Sequence, residues 1–128
     1  MSKATPVVAV VDDDESVNRA IKRLLRSAGM AADTFGSGDD FLDMFHSTPS
    51  YRPACVVLDL QMPGLNGLGV QKRLAGSGIP VIFITAHDEP GVREQALAAG
   101  AVAYLRKPFN DEVLIDAVSK AMDPTPDA

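Results

Sequence analysis

Short apolar runs alternate with amphipathic segments along most of the chain. Residues Val7 to Val11 form an almost continuous apolar run that stops at an acidic cluster, which is typical of a strand buried on both faces. From Val17 onward, apolar residues recur at spacings of three and four until Gly29, a residue suited to ending a helix. The pattern therefore predicts a strand followed by a helix that packs through one apolar stripe.

The same alternation continues to residue 122. Ser37 and the acidic residues after it predict the start of a second helix, a third begins near Gly67, and Pro90 suits the first turn of a fourth. Strands are predicted at 7–11, 30–35, 54–58, 81–84 and 102–105, and the last helix at 113–122. Such alternation indicates an α/β fold with a five-stranded parallel sheet and helices on both faces. The strand order 2-1-3-4-5 would place strands one and three side by side.

Polar side chains stand at the carboxyl ends of the predicted strands. Asp12 and Asp13 follow strand one, Asp59 follows strand three, Thr85 follows strand four, and Lys107 follows strand five. In an open parallel sheet, ligands bind beyond these ends, where the strand order reverses. We therefore expect these five residues to converge although they are far apart in sequence.

Three carboxylates in one crevice require a positive charge among them. Each pair of carboxylates ~4 Å apart costs on the order of 4 kcal/mol at an effective dielectric constant near 20. Oxygen ligands select a hard divalent cation, and a few carboxylates completed by water and a phosphate oxygen favour Mg²⁺ over Ca²⁺. The same groups suit phosphoryl transfer: Asp59 as nucleophile would form an acyl phosphate, with Lys107 and the Thr85 hydroxyl binding its oxygens.

Each of these residues also has an ordinary explanation when it is taken alone. An acidic triplet such as 12–14 commonly forms a solvated turn or caps a helix, and an Asp after a strand commonly begins a turn. Lys107 could be a surface lysine, and Thr85 could satisfy backbone groups at a strand end. Their joint placement favours a functional site, because no capping requirement demands it.

Composition narrows the class of protein. With 128 residues, 46% of them hydrophobic, the chain is long enough for one core, so we expect one domain over 1–122, with 123–128 as a tail or the start of a linker. The net charge is -5, and the 12 basic residues are scattered, which argues against direct nucleic-acid binding.

Cys55 is the only cysteine, which favours a reducing compartment. The sequence shows neither a signal peptide nor an apolar run near the ~20 residues of a membrane helix, so we expect a cytoplasmic protein that does not contact membranes.

Four segments resemble the receiver domains of bacterial two-component response regulators. They are the acidic cluster at 11–14, the stretch from Val57 to Gly67, Ile-Thr-Ala at 84–86 and Tyr-Leu-Arg-Lys-Pro-Phe at 104–109. The resemblance covers about residues 6–122 and implies the flavodoxin-like fold of that family. It also implies a Mg²⁺-dependent switch that accepts a phosphoryl group from a sensor histidine kinase or a phosphotransfer protein. Such a domain assists its own phosphorylation and dephosphorylation but is not an enzyme acting on free substrate.

The resemblance assigns a role to each site residue. Asp59 is similar to the phosphoacceptor, Asp13 to a direct metal ligand, and Asp12 to a residue that orients a metal-bound water. The backbone carbonyl of Gln61 matches a further metal ligand. Lys107 matches the phosphate-binding lysine.

The remaining implied roles concern the switch and its output. Thr85 matches the switch hydroxyl, Tyr104 matches a side chain that changes rotamer on activation, and a cis peptide is implied before Pro108. Gln61 and His87 occupy positions that tune the lifetime of the phosphate. The changed surface would be helix four, strand five and helix five, acting through a homodimer, an output domain or a separate target. The subfamily resembles receivers that feed helix-turn-helix transcriptional outputs, although hybrid kinases carry similar domains.

Two alternatives come from other functional classes. A phosphatase with an aspartyl nucleophile would place that nucleophile after the first strand, with a second carboxylate two residues later, where this chain has Gln61. A binding module that switches without phosphate would be expected to lack a site residue, and none is missing. No output domain is present in the sequence, which leaves open a single-domain regulator, a relay shuttle or part of a longer chain.

Overall fold

A computed structural model describes residues 6–87 and 89–122. Within these ranges, strands and helices alternate strictly along the chain. The strands are β1 (Val7–Val11), β2 (Ala31–Phe35), β3 (Cys55–Asp59), β4 (Val81–Thr85) and β5 (Ala103–Arg106). The helices are α1 (Glu15–Ser27), α2 (Gly38–Ser47), α3 (Gly67–Arg73), α4 (Pro90–Ala98) and α5 (Asp111–Met122).

The five strands form one parallel sheet in the order β2-β1-β3-β4-β5, as the sequence predicted. Val11 pairs with Leu58, and Thr85 pairs with Arg106, so neighbouring strands end at nearly the same level. The loops that carry the predicted site residues therefore leave the sheet along one edge.

Alternate side chains of the sheet feed two apolar cores. Val8 and Val10 point to one face, where they pack with Ile21 of α1 and Leu114 of α5. Ala9 and Val11 point to the other face, which is covered by α2, α3 and α4. The strands β3 and β4 are buried along their whole length, which explains why their sequences are apolar up to the final residue. Burial of each large side chain contributes about 1.5–3 kcal/mol, and the sheet edge is fixed in place by both cores.

Polar caps account for the differences between predicted and observed helix starts. The N-cap of α1 is Asp14, whose carboxylate accepts from the Ser16 N–H at 2.9 Å, so this helix begins two residues before the apolar stripe. The helix α5 also begins two residues early, because the Asn110 Oδ1 accepts from the N–H of Glu112 at 2.8 Å. Pro90 occupies the first turn of α4, as predicted.

Strand limits differ from the prediction by one residue at several ends. Asp59 and Thr85 are the last residues of β3 and β4 and do not follow them. The predicted tail at 123–128 lies outside the described residues. Among the residues that the structure describes, no helix combines the length and the apolar character needed to cross a membrane.

Candidate functional site

Three carboxylates meet at the carboxyl ends of β1 and β3, two from the loop after β1 and one from the last residue of β3. One oxygen each from Asp12, Asp13 and Asp59 lies within 4.8 Å of the other two. Asp12 and Asp59 are buried, whereas Asp13 is exposed at the mouth of the cleft. An oxygen cluster of this kind fits the ligand chemistry of Mg²⁺, which binds through one or two carboxylates and keeps several waters.

Lys107 lies across this cluster and contacts two of its members. Its Nζ donates a hydrogen bond to Asp12 Oδ2 at 2.8 Å and lies 3.6 Å from Asp59 Oδ1. Burial lowers the pKa of Lys107, but the hydrogen bond to Asp12 and the nearby Asp59 outweigh burial, so its pKa is raised. The ammonium therefore stays charged and compensates part of the negative charge.

The carboxyl group of Asp59 is less acidic than an ordinary aspartate. Burial and the neighbouring Asp12 raise its pKa from 3.8 to about 6, against the opposing effects of Lys107 and of a hydrogen bond from the Gln61 backbone. The negative charge of Asp59 is thus incompletely stabilised by the protein groups around it. A divalent cation beside it would favour the ionised, nucleophilic form.

Thr85 ends β4 with its hydroxyl engaged by the following loop. The Thr85 Oγ1 donates to the carbonyl of His87 at 2.9 Å and accepts from the N–H of His87 at 3.1 Å. The residue is fully buried, and its strand neighbour Ile84 pairs with Asp59. The ordinary strand-end role therefore coexists with a position on the strand next to the one that ends at Asp59.

Backbone contacts bring the β5 end to the same edge. The Lys107 N–H donates to the carbonyl of Thr85 at 2.7 Å, and the peptide bond between Lys107 and Pro108 is cis. Tyr104 lies two residues before Arg106, half-buried on β5, with the guanidinium of Arg93 5.8 Å from its ring centroid. The structure thus brings Asp12, Asp13, Asp59 and Lys107 into direct proximity, while Thr85 and Tyr104 line the neighbouring strands.

Two residues near the site were not identified from the sequence as part of it. Gly67, which marked a predicted helix start and the end of one segment of the resemblance, packs directly against the backbone of Asp59. Asn18 is buried at the start of α1 and donates hydrogen bonds to the carbonyls of Asp12 and Phe35. The sequence does place Asn18 on the apolar stripe of the helix, three residues before Ile21 and seven before Leu25. A polar residue on such a stripe indicates a buried side chain that needs hydrogen-bond partners.

The sequence was compared with family models and with known proteins. The family model "Response regulator receiver domain" matches residues 8–119. Nodulation protein W of Bradyrhizobium diazoefficiens is 42% identical over 119 residues, which are 91% of this chain and 51% of that protein. The response regulator protein TodT of Pseudomonas putida is 36% identical over 98% of this chain and 55% of its own length.

Solved structures agree with the sequence comparisons. A response regulator receiver protein from Burkholderia phymatum is 68% identical with a TM-score of 0.84, over 91% of this chain and 94% of its own. The N-terminal part of FixJ is 31% identical with a TM-score of 0.83, over 98% of this chain and 100% of its own. The chain spans about half the length of the curated relatives it matches. With the fold, the strand-end cluster and a family match over most of its length, this chain belongs to the family of response regulator receiver domains.

Proposed function

We propose that this chain is a phosphorylation-dependent signalling switch whose phosphoacceptor is Asp59. The observation that carries the proposal is the arrangement around Lys107, which contacts both Asp12 and Asp59 while Asp13 lies beside them. A structural ion pair needs only one carboxylate partner. Three acid groups and a partly buried ammonium in one cleft are instead suited to binding a phosphoryl group.

The carboxylates of Asp13 and Asp59, together with the backbone carbonyl of Gln61, are the proposed ligands of Mg²⁺, and Asp12 would orient a metal-bound water. The donor set fits this ion because all of the groups are oxygens and because Asp59, buried beside Asp12, carries a charge that the protein compensates incompletely. When bound, Mg²⁺ would neutralise charge on the transferring phosphoryl oxygens.

The phosphodonor in this proposal is a phosphohistidine on a sensor histidine kinase or a phosphotransfer protein. An oxygen of Asp59 attacks phosphorus, the P–N bond breaks, and its electrons return to the departing imidazole. The Lys107 ammonium, already 3.6 Å from Asp59 Oδ1, binds an oxygen of the new acyl phosphate. Attack by water on phosphorus later releases phosphate and restores the Asp59 carboxylate.

Thr85 and Tyr104 would carry the signal away from the phosphate. For the Thr85 hydroxyl to donate to a phosphoryl oxygen, it must leave the carbonyl of His87 that it now contacts. We propose that Tyr104 then turns inward and that the surface formed by α4, β5 and α5 changes its affinity for a partner. That partner would be a second copy of the chain, an output domain or a separate target.

The relatives suggest what lies downstream. FixJ of Azorhizobium caulinodans, 36% identical over 95% of this chain, is named a transcriptional regulatory protein. We propose a receiver over 1–122 that controls such an output, with 123–128 as a tail or the start of a linker. We also propose that it works in the cytoplasm, because its single cysteine is free and buried.

The proposal is tested by phosphorylating the protein with a small acyl phosphate in Mg²⁺. We expect a gain of one phosphoryl mass in the wild type and none in Asp59→Asn or in EDTA. An unmodified wild type that also fails with a kinase would instead indicate a module that switches without phosphate. Sustained release of phosphate from small monoesters, dependent on Asp59, would indicate a phosphatase.

A further inference from the structure

The side-chain amide of Asn18 is buried beneath the acidic loop between β1 and α1 and bonds to its backbone. The Asn18 Nδ2 donates to the carbonyl of Asp12 at 2.8 Å and to the carbonyl of Phe35 at 3.1 Å. Phe35 is the last residue of β2, and its carbonyl also accepts from the Asp12 N–H at 3.1 Å. Asn18 therefore connects α1, the end of β1 and the end of β2.

The carbonyl of Asp12 belongs to the peptide group that precedes Asp13. A hydrogen bond to this carbonyl restricts rotation of the peptide plane, and the plane sets the direction in which the Asp13 side chain leaves the backbone. A second bond, from the Asp14 N–H to Asp12 Oδ1 at 2.8 Å, fixes the side chain of Asp12. Both acidic groups of the loop are thus oriented through bonds made to Asp12.

Stability alone does not explain an asparagine at this position. Only 4% of Asn18 is exposed, and its Oδ1 has no hydrogen-bond partner among the described residues. A buried acceptor without a partner disfavours folding, and the neighbouring positions on the same helix stripe are apolar. The reverse orientation of the amide would face its oxygen toward two carbonyl oxygens, so the donor must point to the loop.

We infer that Asn18 is a positioning residue for the cation site, because its amide holds the peptide that links Asp12 to Asp13. The inference rests on the proposed function, which supplies the Mg²⁺ site. Residues that orient metal ligands commonly change metal affinity about 10–100-fold when they are removed, although they do not touch the ion.

The test compares Mg²⁺ affinity by calorimetry in the wild type, Asn18→Ala and Asn18→Leu. Alanine removes the amide, and leucine removes it while keeping a side chain of similar size. The matched control is Gln71→Ala, since Gln71 is likewise buried and donates at 3.0 Å to a backbone carbonyl, that of Ala96, outside the acidic cluster. Hydrogen exchange of the Asp14 and Ser16 amides without Mg²⁺ supplies a second readout.

We expect both Asn18 variants to weaken Mg²⁺ binding about tenfold and to exchange faster at Asp14, while Gln71→Ala stays within about twofold of wild type. Wild-type affinity in folded Asn18 variants would overturn the inference. Equal weakening by Gln71→Ala, or failure of both Asn18 variants to fold, would also overturn it by showing a general role in stability. A wild type that does not bind Mg²⁺ at all would refute the proposed function itself.

Discussion

Gly67 and Asp59 approach each other so closely that no side chain fits between them. A Cβ built on Gly67 would stand 2.5 Å from the carbonyl oxygen of Asp59 and 2.9 Å from the Cα of Leu60. The Gly67 N–H also donates to the carbonyl of Leu60 at 2.9 Å. The start of α3 is therefore packed onto the backbone that carries Asp59, the proposed phosphoacceptor.

Gly67→Ala is expected to displace the Asp59 loop. The clash is with backbone atoms, which cannot move aside as a flexible side chain could, so we expect a loss of about 1–3 kcal/mol in the free energy of unfolding. We also expect slower phosphorylation by a small acyl phosphate. Urea unfolding and mass spectrometry measure the two effects.

Gly91→Ala is the matched control for this substitution. Gly91 lies in the first turn of α4, and a Cβ there would meet nothing within 4 Å. Alanine in a helix is favoured over glycine by about 0.5–1 kcal/mol, so this variant should be slightly stabilised and phosphorylated normally. Equal effects of the two substitutions would contradict the close-packing argument.

The alternation of strands and helices and the strand-end cluster were predictable because both follow from local patterns, whereas no local pattern fixes the order of the strands in the sheet. Buried parallel strands such as Cys55–Asp59 are apolar up to their last residue, and the polar residue that ends each run marks the edge of the sheet. The role of Asn18 was not predictable in this way. It depends on how α1 packs against the carbonyls of Asp12 and Phe35, the second of which is 17 residues away in sequence, and no local pattern encodes those contacts. The close approach of Gly67 to Asp59 likewise exists only in the folded chain.

Asp59 is expected to make the stability of the metal-free protein depend on pH. Its pKa is 3.8 ordinarily and about 6 in the folded protein, so the folded state retains a proton that the unfolded state releases. The resulting stabilisation is complete below pH 3.8 and is lost as the pH rises through about 6. The full pKa shift corresponds to ~3 kcal/mol in the free energy of unfolding. We expect a change of about 1–2 kcal/mol, because the cleft opens to solvent.

This dependence is isolated by comparing the wild type with Asp59→Asn in EDTA. Asparagine does not titrate, so the stability of the variant relative to wild type should increase between pH 4 and pH 7. Urea denaturation at several pH values measures the difference. A difference that stays constant across this range would show that the Asp59 carboxyl group titrates normally in the folded protein.

Lys107→Met should separate cation binding from phosphoryl transfer. The variant removes the positive charge 2.8 Å from Asp12 Oδ2 and leaves the carboxylates repelling one another, so we expect tighter Mg²⁺ binding. The acyl phosphate would lose its ammonium partner, and we expect phosphorylation to slow about 100-fold. Calorimetry and the kinetics of phosphorylation measure the two effects. Unchanged phosphorylation would exclude Lys107 from phosphate binding.

Gln71 is expected to hold α4 in its position through one hydrogen bond. Its Nε2 donates at 3.0 Å to the carbonyl of Ala96, and no side chain among the described residues caps the start of α4. Gln71→Met keeps the volume but removes the donor, and a bond worth about 1 kcal/mol corresponds to about fivefold faster hydrogen exchange in α4. Exchange in α1, on the other face of the sheet, serves as the internal control. Unchanged exchange in α4 would mean that apolar packing alone positions this helix.

The hydroxyl of Thr85 has two competing uses. In this structure it bonds to both backbone groups of His87, and in the proposed active state it donates to the phosphoryl group. Thr85→Val keeps the branched shape without the hydroxyl, and Thr85→Ser keeps the hydroxyl. We expect all three proteins to bind beryllium fluoride at Asp59, but only the wild type and Thr85→Ser to change their solution size or their α4 hydrogen exchange on binding. A full response from Thr85→Val would show that the signal reaches α4 by a route that does not use this hydroxyl.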